Sequence, residues 1–267
     1  MTNKINAIKT DEGNHARTQD GIESELVSHF HSLLSEEHQD RSPTIAWVIS
    51  HIPPIITPEH NASLLREISM AELEEVVNNM VEGKAPGPDG FTINFFHHCW
   101  DILKQEVLEI VEESRQKQWV LPALNATFLT LIPKETGATD PGKFRPISLC
   151  NVIYKIISKI IASCLKGILP LLISPEQTGY VEGCQILNGI ILAHEVLHSL
   201  KISKTPGMLL KLDLSKAFDK LSWDFIRKML LAFGFSPIWT NWVMSLISSA
   251  FFSILVNGYP LSTFSPT

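Results

Sequence analysis

The seven residues Met208–Leu214, MLLKLDL, restrict the architecture more than any other stretch of this chain. Apolar side chains fall on both parities of the run. An extended segment of this kind has two apolar faces, so the pattern predicts a central strand covered on both sides. A carboxylate, Asp213, arrives near its end, and a second, Asp219, follows six positions later. An aspartate at that place is either a turn or helix-start residue or a working ligand. Composition leaves both readings open.

The rest of the chain alternates helix and strand patterns irregularly, which places it in the α+β class. Ser69 opens a helix, because Glu72 three positions on completes a capping box. KAPGPDGF (84–91) reads as an ordered turn, since glycine frees φ while proline fixes it. Apolar residues at helical spacing predict a helix over about 93–118. ATFLTLIPK (126–134) reads as a strand, and RPISL (145–149) as a short extended segment. Helices are expected over about 151–169, 185–200 and 222–233, the last stopped by Gly234. A strand is expected over 250–256, with Asn257-Gly258 as its turn. Residues 1–68 are acidic, Pro-punctuated and mostly helical around Ile22–Leu34, and read as a peripheral extension.

Composition bounds the function only loosely. Of 267 residues, 45% are hydrophobic and 19% charged, as in globular proteins. The net charge of −6 is unevenly spread: residues 1–80 hold 5 Lys+Arg against 13 Asp+Glu, and residues 81–267 hold 17 against 15. Between Thr127 and Lys166 six basic residues face two acidic ones, so a negatively charged partner is expected there. Lys155, Lys159 and Lys166 fall within ~40° of one another on a helix. They form either a solvated stripe or a row of phosphate contacts. The four cysteines show no metal or disulfide spacing. No signal-peptide core or membrane span is apparent, so a soluble, intracellular protein is expected. Phosphate-loop, GxSxG and HExxH motifs are absent. His194 and His198 stand at i, i+4, a pair more often structural than metal-binding, and the adjacent His97 and His98 read as surface or packing residues.

Four blocks, taken together and in this order, carry a specific likeness: KAPGPDGF; ATFLTLIPK with FRPISLCNVIYKIISKIIASCLK; ISPEQTGYVEGCQI; and LLKLDLSKAFDKLSWDFI. They resemble the reverse transcriptase of plant LINE-type (non-LTR) retrotransposons, across about residues 69–267. The resemblance implies a partial right-hand polymerase: fingers at about 85–205, the start of the palm at 206–267, and a linker-like extension over 1–68. It implies an RNA-directed DNA polymerase acting on an RNA template, a DNA primer and dNTPs through two Mg²⁺ ions, which need hard oxygen ligands. Asp213 matches the palm carboxylate that binds both metals, and the backbone carbonyl of Leu214 one that assists. Phe218 matches the bulky side chain that excludes a 2′-hydroxyl. Arg145, and Lys134 with it, match finger cations on the incoming triphosphate. Asp219, usual in the motif, is read as structural.

Two departures from the family pattern stand out. Gly183-Cys184 replaces a usual Gly-Arg, removing one charge-assisted contact worth about 1.5–3 kcal/mol. No Asp-Asp dipeptide occurs, so Asp213 lacks its family partners and this chain alone is expected to be inactive. The competing readings are a non-catalytic remnant that binds RNA or hybrid duplex through the 127–166 basic face, and a decayed reading frame that does not fold stably. Transcripts in the cytoplasm and target DNA in the nucleus set the expected locations. No protein partner is inferable.

Overall fold

The computed structural model describes residues 4–10, 12–35, 40–174, 176–177, 179, 183, 185–214, 217–218 and 220–266. Cys184 and Asp219 lie outside them. Two short strands, β1 (Ile8–Lys9) and β2 (His15–Ala16), precede helices α1 (Gln19–Leu34), α2 (Ser42–Ile49), α3 (Pro58–Leu65), α4 (Met70–Asn78), α5 (Ile93–His98) and α6 (Trp100–Lys117). Strands β3 (Ala126–Pro133) and β4 (Phe144–Cys150) follow, then α7 (Val152–Lys166), α8 (Leu169–Leu172), α9 (Ile186–Ser203), α10 (Trp223–Phe233) and α11 (Pro237–Ser248). The last elements are β5 (Phe251–Val256) and β6 (Tyr259–Phe264).

Four strands form one sheet in the order β4-β3-β5-β6. β3 pairs antiparallel with β4 and parallel with β5, and β5 pairs antiparallel with β6. The turn between β5 and β6 is Asn257-Gly258, whose φ values of +54° and +91° are those a two-residue hairpin turn of matching twist requires. The alternation in β3 buries Leu129 and Leu131, which meet Phe144, Ile254, Val256, Leu261 and Phe264. This apolar face is covered by α1, whose Ile22, Leu26 and Phe30 recur at i, i+4, i+8 along one side. Ile5 and Ile8 complete the cluster, and the Asn257 side chain bonds both the N–H and the C=O of Ile5, each at 2.9 Å. The leading residues, read from sequence as peripheral, thus pack into the sheet.

The second core is helical. α7 buries Ile156, Ile157, Ile160 and Ile161 among residues of α4, α6 and α11. Trp239 and Trp242 of α11 meet edge to face with ring centroids 5.4 Å apart, and the Trp242 indole N–H donates to Ser114 Oγ at 2.7 Å. Ile56, Leu64 and Ile68 join this core from the leading segment. The capping box at Ser69 and Glu72 forms as expected, with Ser69 Oγ accepting from the Glu72 N–H.

Two expectations are corrected. The helix expected over 93–118 is two helices, α5 and α6, separated at Cys99. The strand expected at Met208–Leu214 does not form. The segment has no regular secondary structure and stands in solvent, with Met208 92% and Leu212 78% exposed. A strand apolar on both faces needs a neighbour on each edge and a layer on each side. The four-stranded sheet offers this run neither.

Candidate functional site

The β3–β4 hairpin carries Arg145 and leads into Lys134. Arg145 sits directly across from Ile132, and Pro133 across from Phe144. Because partners across an antiparallel pair share a face, Leu129, Leu131 and their neighbours point to the core, and Arg145, Ile132 and Ile147 point to solvent. Lys134 follows the strand on the parity of Ile132, its backbone N–H donating to Lys143 O at 2.9 Å and its Nζ to Gly142 O at 2.7 Å. Diagonal neighbours of this kind are about 7–8 Å apart, so Lys134 and Arg145 share one face at the exposed end of the hairpin, with the Lys134 ammonium held at the Gly142 carbonyl. Lys143 shares that end, but it bonds Glu135 at 2.6 Å, and that bond raises the Lys143 ammonium above its ordinary value.

The lysine stripe lies on α7, off the face that carries its buried isoleucines. Lys155 is half-buried in the first turn; Lys159 and Lys166 are exposed. The start of α7 is tied to the 84–91 loop. Asn151 caps no helix N–H with its side chain. Instead its Oδ1 accepts from Asp89 N at 3.2 Å and its Nδ2 donates to Ala123 O at 3.2 Å. Sequence reasoning found the ordered loop but not this partner. The signal available was a glycine between two prolines, Pro86-Gly87-Pro88, which suggests a close approach.

The Asp213 region is built differently. Asp213 and Leu214 are exposed in the irregular segment after α9. Phe218, 73% exposed, lines a cleft of ≈ 990 Å³ together with Lys9, His29, Arg41, Asp140 and Trp223. Among the described residues no three His, Cys, Asp or Glu come close enough to hold a metal ion. Asp213 therefore stands outside any such cluster, as do His194 and His198 on the exposed surface of α9. His97 bonds Glu82 and the Val77 carbonyl, a structural role.

Among the described residues no helix is long and apolar enough to cross a membrane. Residues 132–265 match the family model described as reverse transcriptase (RNA-dependent DNA polymerase). The chain is 26% identical over 95% of its length to the transposon TX1 uncharacterized 149 kDa protein of Xenopus laevis. It is 27% identical over 88% of its length to the retrovirus-related Pol polyprotein from type-2 retrotransposable element R2DM of Drosophila melanogaster. Against the Pol polyprotein from type-1 retrotransposable element R2 of Popillia japonica it is 24% identical over 72%. These alignments span 19%, 23% and 26% of the three relatives' own lengths.

Proposed function

From the premise that the chain belongs to the reverse transcriptase (RNA-dependent DNA polymerase) family, we propose that it is the fingers and the start of the palm of a plant LINE-type retrotransposon polymerase, with residues 1–68 leading into them. The complete polymerase copies an RNA template onto a DNA primer from dNTPs, in the cytoplasm and nucleus. The observation that supports this reading is the exposed end of the β3–β4 hairpin, inside the matched span, where register sets Arg145 and Lys134 on one face. A guanidinium offers a planar fork to a phosphate and an ammonium a point charge, so the pair suits the triphosphate of an incoming nucleotide. Phe218 is the proposed wall against a 2′-hydroxyl.

Reverse transcriptases use divalent metal ions, and Asp213 with the Leu214 carbonyl would form part of a Mg²⁺ site. The described residues do not make the whole of it. Each Mg²⁺ takes about six oxygen ligands in near-octahedral geometry, and one carboxylate with one carbonyl falls well short for two ions.

The test is made in the complete polymerase. Arg145→Ala is expected to raise KM for dNTP about 10-fold or more, as loss of a charged hydrogen bond worth about 1.5–3 kcal/mol requires, and Arg145→Lys to restore part of it. An unchanged KM would remove Arg145 from the nucleotide site.

A second reading, a non-catalytic nucleic-acid-binding piece, is favoured by the exposed position of Lys159 and Lys166 beside Lys155 on α7. It requires metal-independent, salt-sensitive binding of RNA by this chain, lost in Lys155→Glu with Lys159→Glu.

A further inference from the structure

The loop Lys84–Phe91 is held to the fold by a contact that leaves no room for error. Gly87 is buried, and a Cβ on it would collide with Asn151 Oδ1 and N and lie 2.6 Å from the carbonyl carbon of Cys150. The Asp89 N–H donates to Asn151 Oδ1 at 3.2 Å, and the loop closes on itself through Gly90 N to Gly87 O at 3.1 Å and Phe91 N to Asp89 Oδ1 at 3.0 Å. The same Asn151 amide donates to Ala123 O at the entry to β3. One side chain, 4% exposed, therefore fixes three segments: the 84–91 loop, the approach to β3, and the junction of β4 with α7. Four residues further along α7 stands Lys155. Three residues before Gly87 stands Lys84, exposed, within ~11 Å of extended chain from the clasp.

We propose that Asn151 is a positioning residue: with Gly87 it locks the 84–91 loop onto the N-terminal end of α7, so that Lys84 joins the Lys155–Lys159 stripe as one preformed surface for the phosphates of a nucleic-acid backbone. The inference rests on the nucleic-acid reading given above. Its physical content is pre-organisation. A cation on a clasped loop meets a phosphate without the cost of ordering the loop, and the same cation on a loosened loop does not.

The experiment titrates a fluorescein-labelled RNA–DNA hybrid with the 267-residue chain by anisotropy across a range of salt, at temperatures where urea unfolding shows each variant folded. Lys84→Gln, on an exposed residue, is expected to lower affinity about 3–10-fold at low salt and to flatten the log Kd against log salt slope by about 0.9, one phosphate contact. Asn151→Ala and Gly87→Ala are expected to do the same, and Lys84→Gln to add nothing in either background. Asn151→Asp keeps an acceptor for the Asp89 N–H but sets an acceptor oxygen against the Ala123 carbonyl and buries a negative charge. It is expected to lose stability yet retain the wild-type slope, a separation that a purely structural role would not give, and it keeps the test available if Gly87→Ala does not fold. Wild-type binding with an unchanged slope in Lys84→Gln overturns the proposal alone. So does a Lys84→Gln effect that persists in full in Asn151→Ala. Absence of any salt-dependent binding by the wild type overturns the nucleic-acid reading and the proposal with it.

Discussion

His97 faces a hydrogen-bond acceptor on each ring nitrogen: Nδ1 lies 2.8 Å from Glu82 Oε1, and Nε2 lies 3.0 Å from the Val77 carbonyl oxygen. Only the imidazolium donates to both. The hydrogen bond to Glu82 first, then that to Val77, raises the His97 pKa, and the bond to His97 lowers that of Glu82. A raised histidine stabilises the fold fully below its unfolded pKa of about 6.5, and the effect disappears as pH climbs through the folded value. A lowered glutamate stabilises fully above its unfolded value, 4.5, and the effect disappears as pH falls through the folded one. Both contributions are complete only between those limits. The stability lost in His97→Phe, measured by urea midpoints, is therefore expected to be largest near pH 5–6 and to shrink above neutrality. A loss that is flat from pH 5 to 9 would mean that the ring acts by packing alone. Asn257 marks the limit of residue-scale reading. Its place in a turn was legible from Asn-Gly, because the turn is local chemistry. Its two hydrogen bonds to Ile5, 252 positions away, leave no trace in the neighbouring sequence.

Between elements, α6 holds the α3–α4 connection through a partly buried pair. Arg115 Nη1 donates to Leu65 O at 2.6 Å and Nη2 to Glu112 Oε2 at 2.5 Å, while Glu112 Oε1 accepts the Ile68 N–H at 2.8 Å. Burial alone pushes the Glu112 carboxyl upward. The Arg115 guanidinium and the Ile68 N–H outweigh it, and the net direction is down. Arg115→Ala strands both the carboxylate and the Leu65 carbonyl and is expected to cost about 3 kcal/mol. Lys117→Ala, which breaks the solvent-exposed pair with Glu113 on the same helix, is expected to cost under about 0.5 kcal/mol. Equal shifts of the urea midpoint in the two variants would contradict this ranking. Elements set by local pattern were legible in the same way as the capping box at Ser69: the strand β3, the extended run of β4, and α7 with its lysine stripe; the pairing of β3 with β4 was not read. The Met208–Leu214 strand was not, because two-faced hydrophobicity states a demand for neighbours without supplying them. The site divides along the same line. That Lys134 and Arg145 share a face follows from hairpin register, while the surroundings of Asp213 depend on which strands lie beside it.

At the scale of the whole molecule, the family match begins at residue 132, near the end of β3, yet the sheet whose other three strands lie inside that span is covered by residues far outside it. A helix around Ile22–Leu34 was legible in sequence but not what it covers, since an amphipathic helix carries no address. The structure answers: Ile5, Ile8, Ile22, Leu26 and Phe30 lie on Leu129, Leu131, Phe144, Ile254, Val256, Leu261 and Phe264. Removing residues 1–68 deletes these five buried side chains and exposes the seven beneath them, and it also takes away Ile45, Ile56, Leu64 and Ile68, which are buried elsewhere. At about 1.5–3 kcal/mol for each of the five over the sheet, the loss there alone is on the order of 10 kcal/mol, comparable with the entire 5–15 kcal/mol stability of an ordinary domain. A chain beginning at Ser69, although it keeps every block of the family likeness, is therefore expected to show no cooperative urea transition and to associate through its uncovered sheet. Supplying residues 4–35 as a separate peptide is expected to restore part of the transition, because the missing contacts are side-chain packing rather than covalent chemistry. Cooperative unfolding of the shortened chain without the peptide, at the full-length midpoint, would show that α1 covers the sheet without holding it together.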